Sequence, residues 1–166
     1  MTPPQAFPAH WSWYGGPQRP GEAAIVDIDG VLADAAHRQW HLDGPTRDWV
    51  GFFEAASGDA LLAHHAELVR CLDPGLQVVL LTARPFYLRE LTLAWIHEHG
   101  LRWDLLALRG PHQDRIHSVR FKRQALAALR DYGFTPLFAL EDDPRIVEMY
   151  AGESLPCVYV HSGYYG

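Results

Sequence analysis

The sequence predicts an α/β fold built on a doubly wound, mostly parallel sheet. Five short apolar runs have the length and composition of strands that are buried on both faces. They lie at residues 23–26, 77–81, 105–108, 136–140 and 156–160. Longer amphipathic stretches at 61–72, 86–99 and 118–131, and one beginning at Pro144, alternate with these runs and predict helices. Strands that alternate with helices form parallel sheets with right-handed crossovers.

Residues at the ends of the predicted helices agree with this assignment. Asp59 is a candidate N-cap for the helix over 61–72, and Ser118 is one for the helix over 118–131. Gly100 and Gly133 follow predicted helices, where glycine commonly ends a helix. Pro144 is suited to a first helical turn.

Length and composition bound the class of protein. A chain of 166 residues with 48% hydrophobic and 20% charged residues predicts one globular domain. Because no apolar run approaches a membrane span and the first residues do not resemble a secretion signal, we expect no membrane contact and a cytoplasmic location. The net charge of −6 argues against non-specific binding to long nucleic acid, although residues 102–123 are locally basic.

The domain organisation follows from the distribution of proline, glycine and aromatic residues. Residues 1–21 are rich in all three and predict an arm without regular structure, part of which docks on the domain or on a neighbouring subunit. Residues 22–166 form the predicted domain, with a small flap around 34–60. Within the flap, Trp49, Phe52 and Phe53 have helical spacing, which favours a short helix with a buried aromatic face over base stacking. Arg47 and Trp49 are candidate substrate-binding residues.

Polar side chains follow three of the predicted strands. Asp27 and Asp29 come after the first, Thr82 after the second, and Glu141, Asp142 and Asp143 after the fourth. The carboxyl ends of parallel strands lie at one edge of a sheet, where open α/β sheets bind ligands. Carboxylates brought this close repel one another unless a divalent cation lies between them. A solvated turn is the alternative for the Asp-x-Asp-Gly segment.

Lys122 is the only lysine, beside 13 arginines. Ammonium is a compact point charge, whereas guanidinium is a broad planar fork, so a crowded anionic site favours lysine. The alternative is a lysine at a helix surface.

In this order, Asp27-Ile28-Asp29-Gly30, Leu81-Thr82-Ala83-Arg84, Lys122 and Leu140-Glu141-Asp142-Asp143 resemble the motifs of the haloacid dehalogenase (HAD) superfamily of phosphohydrolases. The resemblance covers residues 23 to about 161 and implies a Rossmann-like core with a minimal cap. A finer likeness is to the 3′-phosphatase domain of polynucleotide kinase/phosphatases. It rests on Thr82-Ala83-Arg84, on residues 119–122 and 146–150, and on His161-Ser162-Gly163-Tyr164.

The resemblance implies a role for each motif. Asp27 would be the nucleophile that forms an aspartyl-phosphate, and Asp29 the general acid and base. Thr82, Arg84 and Lys122 would bind the phosphate.

The resemblance also implies a metal site. Mg²⁺ would be held by Asp27, the backbone carbonyl of Asp29, and Asp142. Glu141 and Asp143 are further candidates for the metal or for supporting it, because Glu141 stands where the family commonly has Asp.

The substrate remains open between several phosphomonoesters. Asp29 and Thr82 are 53 positions apart, and Thr82 and Lys122 are 40 apart, which leaves room for a modest flap only and predicts an open site. An open site favours a nucleic-acid 3′-phosphate end or a nucleotide, with a small-metabolite or phosphoprotein phosphatase as the alternative. A receiver module that is phosphorylated on Asp is a rival of another class, but its acid pair precedes the phosphorylated residue. The oligomeric state also remains open.

Overall fold

The computed structural model of the chain describes residues 6–165, so residues 1–5 of the predicted arm and Gly166 lie outside the described residues. The strands in chain order are β1 (Trp11–Trp13), β2 (Glu22–Val26), β3 (Ala33–Asp34), β4 (Ala60–Leu61), β5 (Gln77–Leu81), β6 (Leu105–Ala107), β7 (Thr135–Glu141) and β8 (Cys157–Tyr159). The main sheet has the order β1-β6-β5-β2-β7-β8, and β3 pairs with β4 in a small separate sheet. In the main sheet β1 is antiparallel to its neighbour and the other pairs are parallel.

Helices cover both faces of the main sheet. They are α1 (Trp49–Glu54), α2 (Ala63–Arg70), α3 (Arg89–Glu98), α4 (Ser118–Asp131) and α5 (Pro144–Gly152), with 3₁₀ turns at Ala36–Leu42, Ala55–Gly58 and Phe86–Leu88. Alternate residues of the strands belong to two apolar clusters, so that Ile25 packs with α4 and α5 while Val26 packs with α2 and α3. The predicted doubly wound sheet is confirmed. Within residues 6–165, no helix is long and apolar enough to cross a membrane.

The predicted core elements are present, with differences at their ends. The helix over 118–131 has the predicted bounds, and Gly100 and Gly133 follow α3 and α4 with positive φ, as caps of this kind require. The two N-cap predictions are wrong. His117 caps α4, because its ring nitrogen accepts the Val119 N–H, whereas α2 begins after Leu62 without a side-chain cap.

The arm contains a strand that the sequence did not predict. Trp11 to Trp13 pair with β6 at the edge of the sheet, and Trp11 is buried. The Phe7 ring lies 4.8 Å from that of Trp13 and 5.2 Å from that of Tyr132. The prediction that residues 1–21 lack regular structure is therefore wrong for this segment. Pairing with an open sheet edge supplies backbone partners, and aromatic burial favours the ordered form. The predicted docking of the arm on the domain is observed.

The segment predicted to be a flap contains β3, β4, α1 and two 3₁₀ turns. Phe52 is buried and Phe53 half-buried in α1, as the buried-face interpretation predicts, but Trp49 is 45% exposed. Asp48 caps this helix by accepting the Gly51 N–H. On the aromatic face of α1, Phe52 is thus buried whereas Trp49 is exposed at the surface.

Candidate active site

The strand register aligns the predicted site residues at one edge of the sheet. Val26 of β2 lies opposite Leu80 of β5 and Leu140 of β7, so Asp27, Thr82 and Glu141 come together just beyond. Gly30 has a φ of +81° in the turn that follows Asp29. A Cβ at this position would lie 2.0 Å from Asp142 Oδ2, so glycine is required for Asp142 to approach the turn.

Lys122 enters this edge from α4 as a buried cation. Its Nζ lies 2.9 Å from Asp27 Oδ1 and 2.5 Å from Glu141 Oε2. Burial opposes the charge, but the carboxylates of Asp27 and Glu141 outweigh it and raise the pKa of Lys122 well above its usual value. The pKa of Asp27 is itself raised, by burial and then by the charge of Glu141. The alternative of a surface lysine is therefore wrong, since only 1% of Lys122 is exposed.

The acidic cluster of Asp27, Glu141 and Asp142 has the donors that a hard cation prefers. One carboxylate oxygen from each lies within 4.8 Å of the others. Both side-chain oxygens of Asp142 are buried without a hydrogen-bond partner, an arrangement that is costly unless a cation binds there. Burial, with the charge of Asp27, raises the pKa of Asp142 to about 7. The residues therefore fit Mg²⁺.

The neighbouring acids are engaged elsewhere. Glu141 Oε1 accepts the backbone N–H groups of Asp142 and Asp143, and its Oε2 binds Lys122. Asp143 caps α5 and pairs with Arg145 at 2.7 Å. Of the three consecutive acids, Asp142 is thus the one whose oxygens remain available to a metal ion.

Asp29 faces a different environment, which we call the arginine cluster: Asp29, Arg38, Asp59 and Arg84. Asp29 Oδ1 lies 2.5 Å from Arg38 and 2.6 Å from Arg84, and both arginines also pair with Asp59, at 2.7 and 3.0 Å. Burial alone would raise the pKa of Asp29, but the guanidinium groups of Arg84 and Arg38 hold it well below its usual range. This carboxylate is only partly covered, with 24% of its side chain exposed.

The arginine cluster changes the interpretation of two residues and adds two others. Arg84 is completely buried, and its guanidinium binds Asp29, Asp59 and Thr92, so the predicted bidentate phosphate contact is not available in this arrangement. Asp59 is not a helix cap but a buried partner of two arginines. Arg38 and Asp59 were not predicted as site residues, because no periodic pattern or motif marks them in the flap sequence.

The other predicted residues are Thr82, at this edge of the sheet, and two residues of the predicted flap. Thr82 is buried at the end of β5, with its Oγ1 3.2 Å from the Arg84 backbone nitrogen. Arg47 and Trp49 are exposed on the flap, where the guanidinium carbon lies 5.9 Å from the indole centroid. Their binding of substrate remains a prediction.

Several basic residues of the predicted stretch 102–123 bind other groups of the protein. Arg102 and Arg109 bind backbone carbonyls, and Arg123 pairs with Glu153. Arg115, Arg120 and Arg123 are the exposed arginines of the stretch, and of these Arg123 is paired with Glu153.

The site of a HAD-type phosphatase is defined by four features at one edge of a doubly wound sheet. They are an aspartate pair after the central strand, a threonine after a neighbouring strand, a buried lysine and a further acid. The chain belongs to the family described as the phosphatase domain of the polynucleotide kinase PNKP, whose family model matches residues 21–165. The receiver module is therefore set aside.

Solved structures agree with this assignment. One structure of a Pnkp1/Rnl/Hen1 complex has a TM-score of 0.68 and 26% identity, covering 87% of this chain and 46% of that one. A structure of the Pnkp1/Rnl/Hen1 RNA repair complex has a TM-score of 0.67 and 25% identity, covering 93% and 46%. The chain thus spans about half the length of these relatives. The class C acid phosphatase from Bacillus anthracis with tungstate bound shares the fold, with a TM-score of 0.58 and 12% identity over 92% of this chain and 70% of that one. No curated protein matches the chain significantly in sequence.

We expect Mg²⁺ to stabilise the protein by binding Asp27 and Asp142. At about one hundred times its dissociation constant, the ion should raise the melting temperature by roughly 5–10 °C. Asp142→Asn should remove most of this shift, whereas Asp114→Asn, in an exposed loop, should keep it. Differential scanning calorimetry after chelation and after addition of Mg²⁺ measures the effect.

The effect should depend on pH. Because Asp142 has a raised pKa in the folded metal-free protein, that state binds more protons than the unfolded chain between the ordinary carboxyl range and about pH 7. Its stability should therefore fall as pH rises through this window, and stabilisation by Mg²⁺ should grow. A melting temperature indifferent to Mg²⁺ at pH 8 would contradict the metal site.

Lys122→Arg should reduce phosphatase activity at least about tenfold, or roughly 1.4 kcal/mol of barrier, although it conserves charge. The planar guanidinium is too wide for the space between Asp27 and Glu141 that the ammonium now occupies. Steady-state kinetics should be compared with Arg120→Lys, a charge-conserving exchange at an exposed position two residues earlier. A fully active Lys122→Arg variant would mean that charge alone, and not its shape, is needed.

Proposed function

We propose that this chain is a Mg²⁺-dependent phosphomonoesterase that forms an aspartyl-phosphate on Asp27 and acts on a nucleic-acid 3′-phosphate end or a nucleotide. The observation that carries the proposal is the pairing of Asp27 with Lys122 beside Asp142, whose oxygens have no partner. A nucleophile, a cation and a metal-ligating acid meet there at the carboxyl end of the central strand.

Two aspartates in different environments divide the chemistry. Asp27 attacks phosphorus, and the phosphoryl group is then transferred from the enzyme to water, so that one difficult displacement becomes two easier ones. Asp29, turned away from Lys122 and held by Arg38 and Arg84, gives a proton to the leaving oxygen and later takes one from the attacking water. Arg84 and Arg38 act on Asp29 in this proposal, not on phosphate.

The remaining groups offset negative charge. Lys122, which pairs with Asp27, and Thr82, at the end of the neighbouring strand, would bind the phosphoryl oxygens, and the ammonium would compensate charge that accumulates during transfer. Mg²⁺ would be held by Asp27, Asp142 and the carbonyl of Asp29, and it would polarise the phosphoryl group and orient it toward the nucleophile.

The substrate assignment has separate support. The chain belongs to a family of polynucleotide kinase phosphatase domains, and two of the similar structures are of Pnkp1/Rnl/Hen1 complexes, one of them described as an RNA repair complex. On this chain, the flap exposes Trp40 and Trp49, and indole rings can stack on a nucleobase.

A small-metabolite or phosphoprotein phosphatase of the same superfamily is the second candidate. It is favoured by the net charge of −6 and by the internal use of Arg102, Arg109 and Arg123, which leaves few cations for a polynucleotide backbone.

Asp27→Asn should lower phosphate release at least about a thousandfold, because the amide cannot attack phosphorus. The substitution keeps the shape of the side chain, so the melting temperature should remain within a few degrees of the parent value. Asp73→Asn, an exposed acid at the opposite edge, serves as the control. Turnover retained by pure Asp27→Asn would exclude the aspartyl-phosphate route.

A 3′-phosphorylated oligonucleotide should have a higher kcat/KM than glucose 6-phosphate. Arg115 and Arg120 are exposed in the loop after β6 and in the first turn of α4. We therefore expect about two phosphates to be contacted, and raising salt from 50 to 200 mM should weaken single-strand binding about sevenfold. The salt effect should shrink in Arg115→Gln/Arg120→Gln but not in Arg70→Gln, which changes an arginine at the end of α2. Preference for the sugar phosphate would select the second candidate.

A further inference from the structure

Residues 161–165 connect the end of β8 to the flap, across the turn that contains Gly30. The backbone N–H of Val160 still donates to Glu141, and the chain then leaves the sheet. Ser162 passes so close to Gly30 that its Cβ would lie 3.1 Å from a Cβ placed there. The segment then brings the Tyr164 side chain to the beginning of the flap, 129 residues earlier in sequence.

The Tyr164 hydroxyl makes two hydrogen bonds at this point. It donates to Asp34 Oδ1 at 2.9 Å and accepts the backbone N–H of Ala35 at 2.8 Å. Asp34 Oδ1 also accepts the N–H of Ala36, at 2.9 Å. Ala35 is completely buried, so its N–H has no access to solvent and depends on the tyrosine for a partner. The hydroxyl thus takes the place of a side-chain cap at the start of the 3₁₀ turn Ala36–Leu42.

Two further contacts link this turn to Asp29. The carbonyl of Ala35, whose N–H is held by Tyr164, accepts the backbone N–H of Arg38 at 3.2 Å. The Arg38 guanidinium then reaches Asp29 Oδ1 at 2.5 Å and Asp59 Oδ2 at 2.7 Å. Each link is a hydrogen bond between buried or half-buried groups, so the position of the Arg38 backbone is coupled to the tyrosine hydroxyl.

We propose that Tyr164 is a positioning residue for proton donation by Asp29: by holding the Ala35 peptide it fixes the backbone of Arg38, and through Arg38 the orientation of the Asp29 carboxyl. The proposal rests on the proposed function, because it concerns the proton that Asp29 gives to the leaving oxygen. Tyr164 has no contact with the reacting atoms. In this step a bond forms between an Asp27 oxygen and phosphorus while the P–O bond to the leaving group breaks. The proton passes from Asp29 to the leaving oxygen, so that Asp29 is left as a carboxylate.

Leaving groups distinguish this role from a general structural one. An alkoxide such as the 3′-oxygen of a nucleoside must be protonated as it leaves, whereas p-nitrophenolate is stable without a proton. Tyr164→Phe should therefore lower kcat/KM for thymidine 3′-phosphate about tenfold and for p-nitrophenyl phosphate less than about threefold. The ratio kcat/KM is used because it covers only the steps through phosphorylation of Asp27.

Matched variants distinguish the loss of the Tyr164 hydrogen bonds from the loss of a tyrosine hydroxyl elsewhere. Tyr132→Phe removes a hydroxyl that donates to the arm carbonyl of Ala6, and it should leave both rates unchanged. Asp34→Asn keeps an oxygen that accepts from Tyr164 and should be nearly as active as the parent protein, whereas Asp34→Ala should reproduce the selective loss seen with Tyr164→Phe.

Equal losses of Tyr164→Phe on the two esters, or no loss on either, would overturn the proposal. Amide hydrogen exchange gives a second readout that does not depend on activity, since the Ala35 and Arg38 amides should exchange faster in Tyr164→Phe and unchanged exchange would also overturn it. A parent protein that hydrolyses neither ester would refute the proposed function, and the role at Asp29 with it. Faster exchange in the variant would then still establish the contact.

Discussion

The structure of the site depends on how buried negative charge is compensated at one edge of the sheet. In the arginine cluster two guanidinium groups face two carboxylates, so the cluster is neutral. Beside it, one ammonium faces the three carboxylates of Asp27, Glu141 and Asp142, which leaves an excess of two negative charges when all are ionised. Buried charge without compensation is costly. The raised pKa values of Asp27 and Asp142 express this cost, and a single divalent cation would remove it.

The two aspartates of the Asp-x-Asp pair lie in these two different environments, and their pKa values shift in opposite directions. Asp27 and Asp29 are two residues apart, yet burial and Glu141 raise the pKa of the first, whereas Arg84 and Arg38 lower that of the second in spite of burial. Both shifts oppose the proposed roles, because a nucleophile must be ionised and a general acid must be protonated. A divalent cation at Asp27 would favour its ionised form. A bound phosphoryl dianion would add negative charge next to Asp29 and favour its protonated form. In the proposed function, proton uptake by Asp29 would thus accompany substrate binding.

The sheet and the residues at its strand ends could be predicted from the sequence, because they depend on local patterns. Apolar runs, their lengths and the polar residues that follow them are visible along the chain, and the register then brings Asp27, Thr82 and Glu141 together. The features that were not predicted depend on contacts between segments that are distant in sequence. Arg38 and Asp59 are completely or nearly buried charges, whereas Arg and Asp are ordinarily exposed, and each is stabilised by the other. The strand at Trp11–Trp13 was hidden by the surrounding proline and glycine, because its stability comes from β6 and the aromatic rings that cover it.

Several arginines bind groups of the protein itself and are therefore not free to bind a substrate. Of the six basic residues between 102 and 123, Lys122 is inside the site and three arginines bind groups of the protein itself, so this stretch offers a polynucleotide mainly Arg115 and Arg120. Two such cations on a chain of net charge −6 add little attraction at physiological salt. Discrimination between phosphomonoesters must therefore come from groups close to the scissile phosphate. The predicted flap exposes Trp40 and Trp49, and Arg38 of its first 3₁₀ turn binds Asp29. In the proposed function, this short segment would therefore influence both substrate preference and the position of Asp29.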